Sequence, residues 1–363
     1  MAAREKRSAI FIPLYFNHSL TTISIMKLRT ALLLIATCYA GVAHAQSSFT
    51  LYGIVDEFVQ YVNTGNGYTA AMGSSGQWAS RFGLRGKEDL GDGYAVNFVL
   101  ENGFVPTTGA LASTGSLFNR QAWIGLSSGW GQVRVGRQNS PLFIDEGRMD
   151  AFGAVTQASG LDNITTYGIR TSNTISYLTP SFHGLKGGVY VGLGNAGGLR
   201  GTGASYQFDV TYDQGPFSAF VAGQALRNTD GAPTDRTILS GISYAIGKFT
   251  IYGAYTWAKW DELALDANTY GVSIGYTINP FNYLALGWAQ LTDRTSAGNG
   301  ARQFSVMYNH DVSKRTSFYA AVSLLQNRGQ ARYTLAGAAN AGLALAYPGA
   351  QARGVQVGLV HRF

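Results

Sequence analysis

A period of two limits the architecture of this chain more than any other feature. In SYQFDVTY (205–212), Tyr206, Phe208, Val210 and Tyr212 share one face, and Ser205, Gln207, Asp209 and Thr211 share the other. Tyr270, Val272, Ile274, Tyr276 and Ile278 likewise oppose Gly271, Ser273, Gly275 and Thr277. Phe304, Val306 and Tyr308 oppose Gln303, Ser305 and Asn309, while Phe98 and Leu100 oppose Asn97 and Glu101. Successive side chains of a strand point to opposite faces, so each segment reads as a strand with one apolar and one polar face. Helix-period patterning is absent, and past residue 45 no run of 18 apolar residues offers a transmembrane helix.

Sixteen segments carry the pattern, the first near 49–62, the second near 77–87 and the last near 353–363. Their connections alternate between short (88–92, 128–130, 213–216, 278–280) and long (105–117, 138–169, 328–352). Such alternation belongs to membrane barrels, with short turns on one side and long loops on the other. Pro13 precedes the strands, and the other prolines fall in turns, loops or strand edges, where no ladder N–H is lost. Phe249 and Trp257 stand roughly 26 Å apart along one strand, or roughly 19 Å in height at a tilt of about 45°. That matches an apolar band between two aromatic girdles. Charged residues make up only 13% of the chain and aromatics another 13%, which disfavours an ordinary soluble domain. The expected fold is all-β, a 16-stranded antiparallel transmembrane β-barrel in a single domain.

The first 45 residues stand outside this pattern. A basic start at 26–30 (MKLRT), an apolar run at 31–40 and small residues at Ala43 and Ala45 before Gln46 form a secretory signal peptide over 26–45. Residues 1–25 are unnecessary to it, so translation is expected to begin at Met26 and the mature barrel domain to span 46–363. The single cysteine, Cys38, lies in the apolar run, where Thr37 disfavours lipidation, so the exported domain has no disulfide to hold it. Of the net charge of +7, +4 lies in this leader (Arg4, Lys6, Arg7, Lys27 and Arg29 against Glu5). No basic run remains to support a nucleic-acid partner.

One stretch breaks the alternation for about thirty residues, from Gln138 to Tyr167. A loop of that length is expected to serve function. It opens with NSPLFIDEGRMDAFG (139–153), which places Asp145, Glu146 and Asp150 in one acidic run. Arg120, Arg134 and Arg137 precede it and Arg170 follows. The expectation is that this third outer loop folds into the barrel and narrows it, its acids facing the arginines across water. Alternation points Arg134 into the lumen, opposite Val133 and Val135, and places Glu101 on the polar face of its own strand. Charge rings of this kind select ions, and the excess of arginine predicts a modest preference for anions.

Motifs that would carry other chemistry lack their context. GLGNAG (192–197) follows a strand, but no helix opens at its last glycine, so it reads as a loop. His183, His310 and His361 have neither zinc-type spacing nor a nucleophile pattern. No enzyme activity, metal or cofactor is expected; an outer-membrane hydrolase and a substrate-selective barrel channel stand as the alternatives to a general diffusion pore.

The sequence also resembles the Gram-negative general diffusion porins, most closely those of β-proteobacteria. The resemblance rests on TLYGIVD (50–56), SRFGLRGKEDLG (80–91), FNRQAWIGL (118–126), VGRQ (135–138) and the terminal VGLVHRF (357–363). It implies a homotrimer in the outer membrane, among its lipids and lipopolysaccharide, that passes small hydrophilic solutes and ions. It further implies that Phe363 ends a strand read by the barrel-assembly machinery. It places Arg81, Arg120 and Arg137 in a basic constriction cluster, and DAFG (150–153) at the tip of the inward loop. Ile54 stands where some relatives carry a further lysine, which implies a smaller basic side of the pore.

Overall fold

The computed structural model describes residues 48–153, 156–194, 198–228, 233–337 and 339–363. The extension at 1–25, the signal peptide at 26–45 and Cys38 lie outside them.

The strands are β1 (Ser48–Asn63), β2 (Tyr68–Ser74, resuming as Arg81–Gly91), β3 (Tyr94–Val105), β4 (Gln121–Ser128), β5 (Gly131–Asn139), β6 (Arg170–Leu178), β7 (Leu185–Gly192) and β8 (Ser205–Gln214). They continue as β9 (Phe217–Arg227), β10 (Pro233–Ile246), β11 (Phe249–Trp260), β12 (Leu265–Asn279), β13 (Asn282–Asp293), β14 (Ala301–Asp311), β15 (Thr316–Asn327) and β16 (Ala352–Arg362). Neighbours in sequence pair antiparallel all the way round. β16 then returns to β1, in a register running from Ile54↔Arg362 to Asn63↔Arg353. The wall is therefore a closed barrel of sixteen antiparallel strands. A two-residue strand, Ala110–Leu111, hangs on the end of β3.

Burial follows the period of two, but with the sign of a soluble protein reversed. On β14, Phe304 (47%), Val306 (41%) and Tyr308 (40%) are exposed, while Gln303 (1%) and Ser305 (6%) are buried. The apolar face therefore points outward, as a wall bathed in lipid requires. Aromatic neighbours mark the ends of that face, with Phe249 stacked on Tyr276 at 4.5 Å and Tyr255 tilted on Tyr270 at 5.4 Å.

One expectation needs correcting. The second strand does not run unbroken near 77–87; it pairs with β1 as Tyr68–Ser74, leaves the sheet over 75–80, and pairs again from Arg81. The cause is Asp56 on β1. Its Oδ2 accepts backbone N–H bonds from Gln77 (2.7 Å) and Trp78 (2.5 Å), and its Oδ1 accepts from the Tyr319 hydroxyl (2.8 Å). These bonds satisfy the peptide groups that leave the ladder, as buried backbone demands. The excursion ends beside Arg81, whose Nη1 donates to Ala79 O at 3.2 Å.

Candidate functional site

The segment 140–169 between β5 and β6 makes two short helices, α1 (Pro141–Glu146) and α2 (Gly160–Ile164). Both start on a serine cap: Ser140 Oγ accepts from Phe143 N at 3.3 Å and Ser159 Oγ from Asp162 N at 3.1 Å. Pro141 follows its cap, where its fixed φ suits a first helical position.

Side chains on the polar face of β8–β15 fasten the segment. Arg148 reaches Asp213, beside the short turn that ends β8, at 2.6 Å to Oδ2. Ala151 N donates to Ser273 Oγ (2.9 Å), and the Tyr283 hydroxyl donates to Ala151 O (2.9 Å). The segment then climbs towards the long-loop end, where Asn163 Nδ2 donates to Gln303 Oε1 (2.8 Å) and Ala336 N of the last loop donates to Asn163 Oδ1 (3.0 Å).

Apolar side chains key it to the same wall. A Cβ at Gly241 would stand 2.6 Å from Met149 Cγ, and one at Gly271 would stand 2.7 Å from Leu161 Cδ2. One at Gly287 would overlap the Phe152 ring. Three strands thus offer a hole where the segment offers a knob. Around these seats lie two buried clusters, one of Leu142, Met149, Phe220, Ala222 and Leu239, the other including Phe152, Ala158, Ala285, Met307 and Ala321. A closed sheet with its apolar face outward has no central core, so buried apolar contacts collect where this segment, the last loop and the 75–80 excursion meet the wall.

The basic residues gather elsewhere. Glu101 is 4% exposed and holds two of them: Arg120 Nε lies 2.8 Å from Oε1, and Arg81 Nε 3.5 Å from Oε2. The Tyr52 hydroxyl adds a 2.9 Å bond to Oε2. Arg137 donates from Nε to Asn119 O (2.8 Å) and from Nη1 to Ser172 Oγ (2.7 Å). Arg120, Arg137 and Arg170 together line an open cavity of about 490 Å³, bounded on its far side by Ala336, Gly337, Ala339, Asn340 and Ala341 of the last loop. No aspartate or glutamate is among its lining residues.

The loop acids do not face this cluster as the sequence led us to expect. Asp145 lies 3.6 Å from Arg148 Nη1 and is 3% exposed. Burial pushes its carboxyl up to about 7, with the charge of Asp209 adding to the shift and Arg148 opposing it. Glu146, 1% exposed, accepts from the Tyr167 hydroxyl, and burial pushes it up to about 8. Burial raises Asp162 as well, with Glu146 and Asp150 adding to the shift. Asp150 accepts from Ser273 Oγ at 3.2 Å. The physical reason is reach: Asp145 and Asp150 point towards β8 and β12 and Glu146 turns back to Tyr167 of the segment itself, whereas the arginines sit on and beside β2–β6.

The structure therefore brings Arg81, Arg120 and Glu101 into one ion-paired group, with Arg137 beside Arg120. It sets Arg134 apart, over the Trp123 ring at 4.4 Å and bonded to Gln132 Oε1 at 2.8 Å, near the short turn between β4 and β5. Phe363 closes the wall, exchanging backbone bonds with Gly53 at 3.0 and 3.1 Å. Arg148, Tyr52, Tyr167 and Asp162 were not singled out from the sequence. Arg148, three residues after Asp145, was the legible one; the other three depend on contacts distant in sequence. His310 and His361 each bind one neutral neighbour, Asn282 and Thr316.

The sequence matches the Gram-negative porin family over residues 30–330. Outer membrane porin protein 32 of Delftia acidovorans is 33% identical, over 89% of this chain and 96% of its own length. An outer membrane porin protein of Bordetella pertussis is 31% identical, over 80% and 91%. Among solved structures, the anion-selective porin from Comamonas acidovorans superposes with a TM-score of 0.76 at 30% identity, covering 88% of this chain and all of the other. OmpT of Vibrio cholerae, at 14% identity and a TM-score of 0.66, shares the fold.

Proposed function

Since the chain belongs to the Gram-negative porin family, we propose that it is an outer-membrane channel for passive diffusion of small hydrophilic solutes and ions, with a preference for anions. We read the segment 140–169 as lying in the lumen, because its partners belong to the polar face of a closed wall. The hole left beside it is bounded by Arg81, Arg120, Arg137 and Arg170 together with Glu101.

One observation carries the anion preference: three arginines line a cavity whose lining holds no carboxylate. Glu101 offsets one charge of the Arg81–Arg120 pair, and Asp145 and Glu146 are turned away from the arginines and held up towards neutrality by burial. What remains is a positive field in a narrow aqueous passage, where donors and charge set selectivity. A porin from Comamonas acidovorans of the same fold is described as anion-selective, which supports the reading. We further propose a homotrimer; OmpT of Vibrio cholerae, a structural relative, has a trimer form.

Reversal potentials across a KCl gradient test this. A perfectly selective pore under a tenfold gradient reaches about 59 mV. Wild type is expected to fall on the anion side of zero, and Arg120→Ser with Arg137→Ser to move towards the cation side. A cation-selective wild type would overturn the reading.

A further inference from the structure

Three arginines on the inner face of the wall stand outside the Glu101 group, and each lies over an aromatic ring. Arg85 is 5.3 Å from the centre of the Tyr52 ring, Arg362 is 5.3 Å from that of Trp78, and Arg134 is 4.4 Å from that of Trp123. Among the described residues none of the three makes an ion pair. All three lie towards the short turns. Arg85 follows Arg81 down β2, and Arg134 is beside the turn between β4 and β5. Arg362 ends β16, its N–H bonded to Arg315 O at 2.8 Å in the turn before β15. Alternation turns Arg362 inward, since Gln356 and Val360 are buried whereas Val357 and Leu359 are exposed on the outer face. Cross-strand register sets Arg362, Ile54 and Arg81 in one row across β16, β1 and β2. Ile54 is buried with Phe58, Tyr319 and Val360, and Trp78 packs on that cluster. The ring packed against Ile54 is thus the ring that carries Arg362.

We infer that Arg85, Arg134 and Arg362 are a second set of specificity-determining residues, placed between the Glu101 group and the short-turn opening. A guanidinium over a ring is held by the ring's quadrupole, which fixes its position without cancelling its charge. Its edge N–H groups stay free to donate to a passing anion. The two sets therefore differ in kind: Arg81 and Arg120 share one carboxylate, whereas Arg85, Arg134 and Arg362 share none. Arg362 also answers the loss of a basic side chain at Ile54. It stands one strand away in the same row, about 5 Å along the hydrogen-bonding direction. The basic side of the passage is thus extended from β16 rather than from β1.

The inference rests on the reading of the chain as an anion-preferring channel, and the two can fail separately. Purified full-length protein is inserted in planar bilayers, and reversal potentials are measured across KCl gradients. A cation-selective wild type would remove the reading itself. With an anion-selective wild type, Arg85→Gln with Arg362→Gln should shift the reversal potential towards the cation side. The shift should be larger near 0.1 M than near 1 M salt, where the Debye length falls from about 10 Å to about 3 Å. Arg85→Lys with Arg362→Lys should keep most of the wild-type potential, because the charge stays. Arg302→Gln is the control for net charge, since Arg302 shares the outward face of β14 with the exposed Phe304. An unshifted glutamine variant would overturn the inference, as would an equal shift from Arg302→Gln or from the lysine variant. Arg362 adjoins the terminal Phe363, so if its variants do not assemble, Arg85→Gln and Arg134→Gln, both away from the chain end, decide by the same measurement.

Discussion

At the scale of single residues, the pore charge is set by where carboxylates are buried, and not by how many the chain contains. Glu146 and Asp162 lie together within the segment 140–169 and Asp145 lies beside Asp209 of the wall, and burial favours the neutral forms of all three. An acid raised on folding, here from 3.8 to about 7 at Asp145 and from 4.5 to about 8 at Glu146, stabilises the docked segment fully below its unfolded value. That contribution is lost as pH rises through about 7 to 8, when new negative charge also appears beside the lumen. The anion preference is therefore expected to fall between pH 6 and 9. Asp145→Asn with Glu146→Gln should flatten the change. Reversal potentials measured across that range check it, and a preference rising with pH would contradict the assignment.

At the scale of the element, the segment 140–169 is held by shape as well as by hydrogen bonds. Met149, Leu161 and Phe152 fill the space left by Gly241, Gly271 and Gly287, and the flanking alanines keep the seats open. Glycine in a strand interior weakens it unless something approaches closely, and here the segment does. Gly287→Leu should push Phe152 off the wall towards the axis, lowering single-channel conductance while the barrel still folds. Phe152→Ala should loosen the segment, removing part of the roughly 3–5 kcal/mol that a buried phenylalanine contributes, and increase current noise. Conductance traces in a planar bilayer measure both. Unchanged traces from both variants would mean that the segment does not bound the passage.

At the scale of the whole molecule, closure and screening govern behaviour. The last strand closes on the first, and the Phe363 ring lies over Gly53, where any Cβ would clash. Phe363→Ala is expected to lower the yield of assembled barrel without altering the conductance of what assembles, read on unheated gels. An unchanged yield would deny this residue an assembly role. The anion preference is a field effect, so it should be strong in dilute salt and fade near 1 M, where the Debye length shrinks from about 10 Å to about 3 Å. A preference independent of salt would point to a binding site instead.

Period-two alternation, the spacing of turns and the placement of prolines determined strand number, antiparallel pairing and which face meets lipid, because these are local and each strand repeats them. The inward facing of Glu101 was legible for the same reason. The break in β2 was not: it depends on Asp56 reaching Gln77, Trp78 and Tyr319, residues 21 to 263 positions away. Nor could sequence pair the loop acids. Proximity in the chain suggested arginines on the flanking strands, but Asp145 and Asp150 reach β8 and β12 and Glu146 turns to Tyr167. Arg134 satisfied the alternation rule and still lies apart, because alternation gives the face of a strand and not the height along it. Which charges meet across a lumen is decided by strand register around the whole closed wall and by the path of one long loop, and neither is written in any local run of residues.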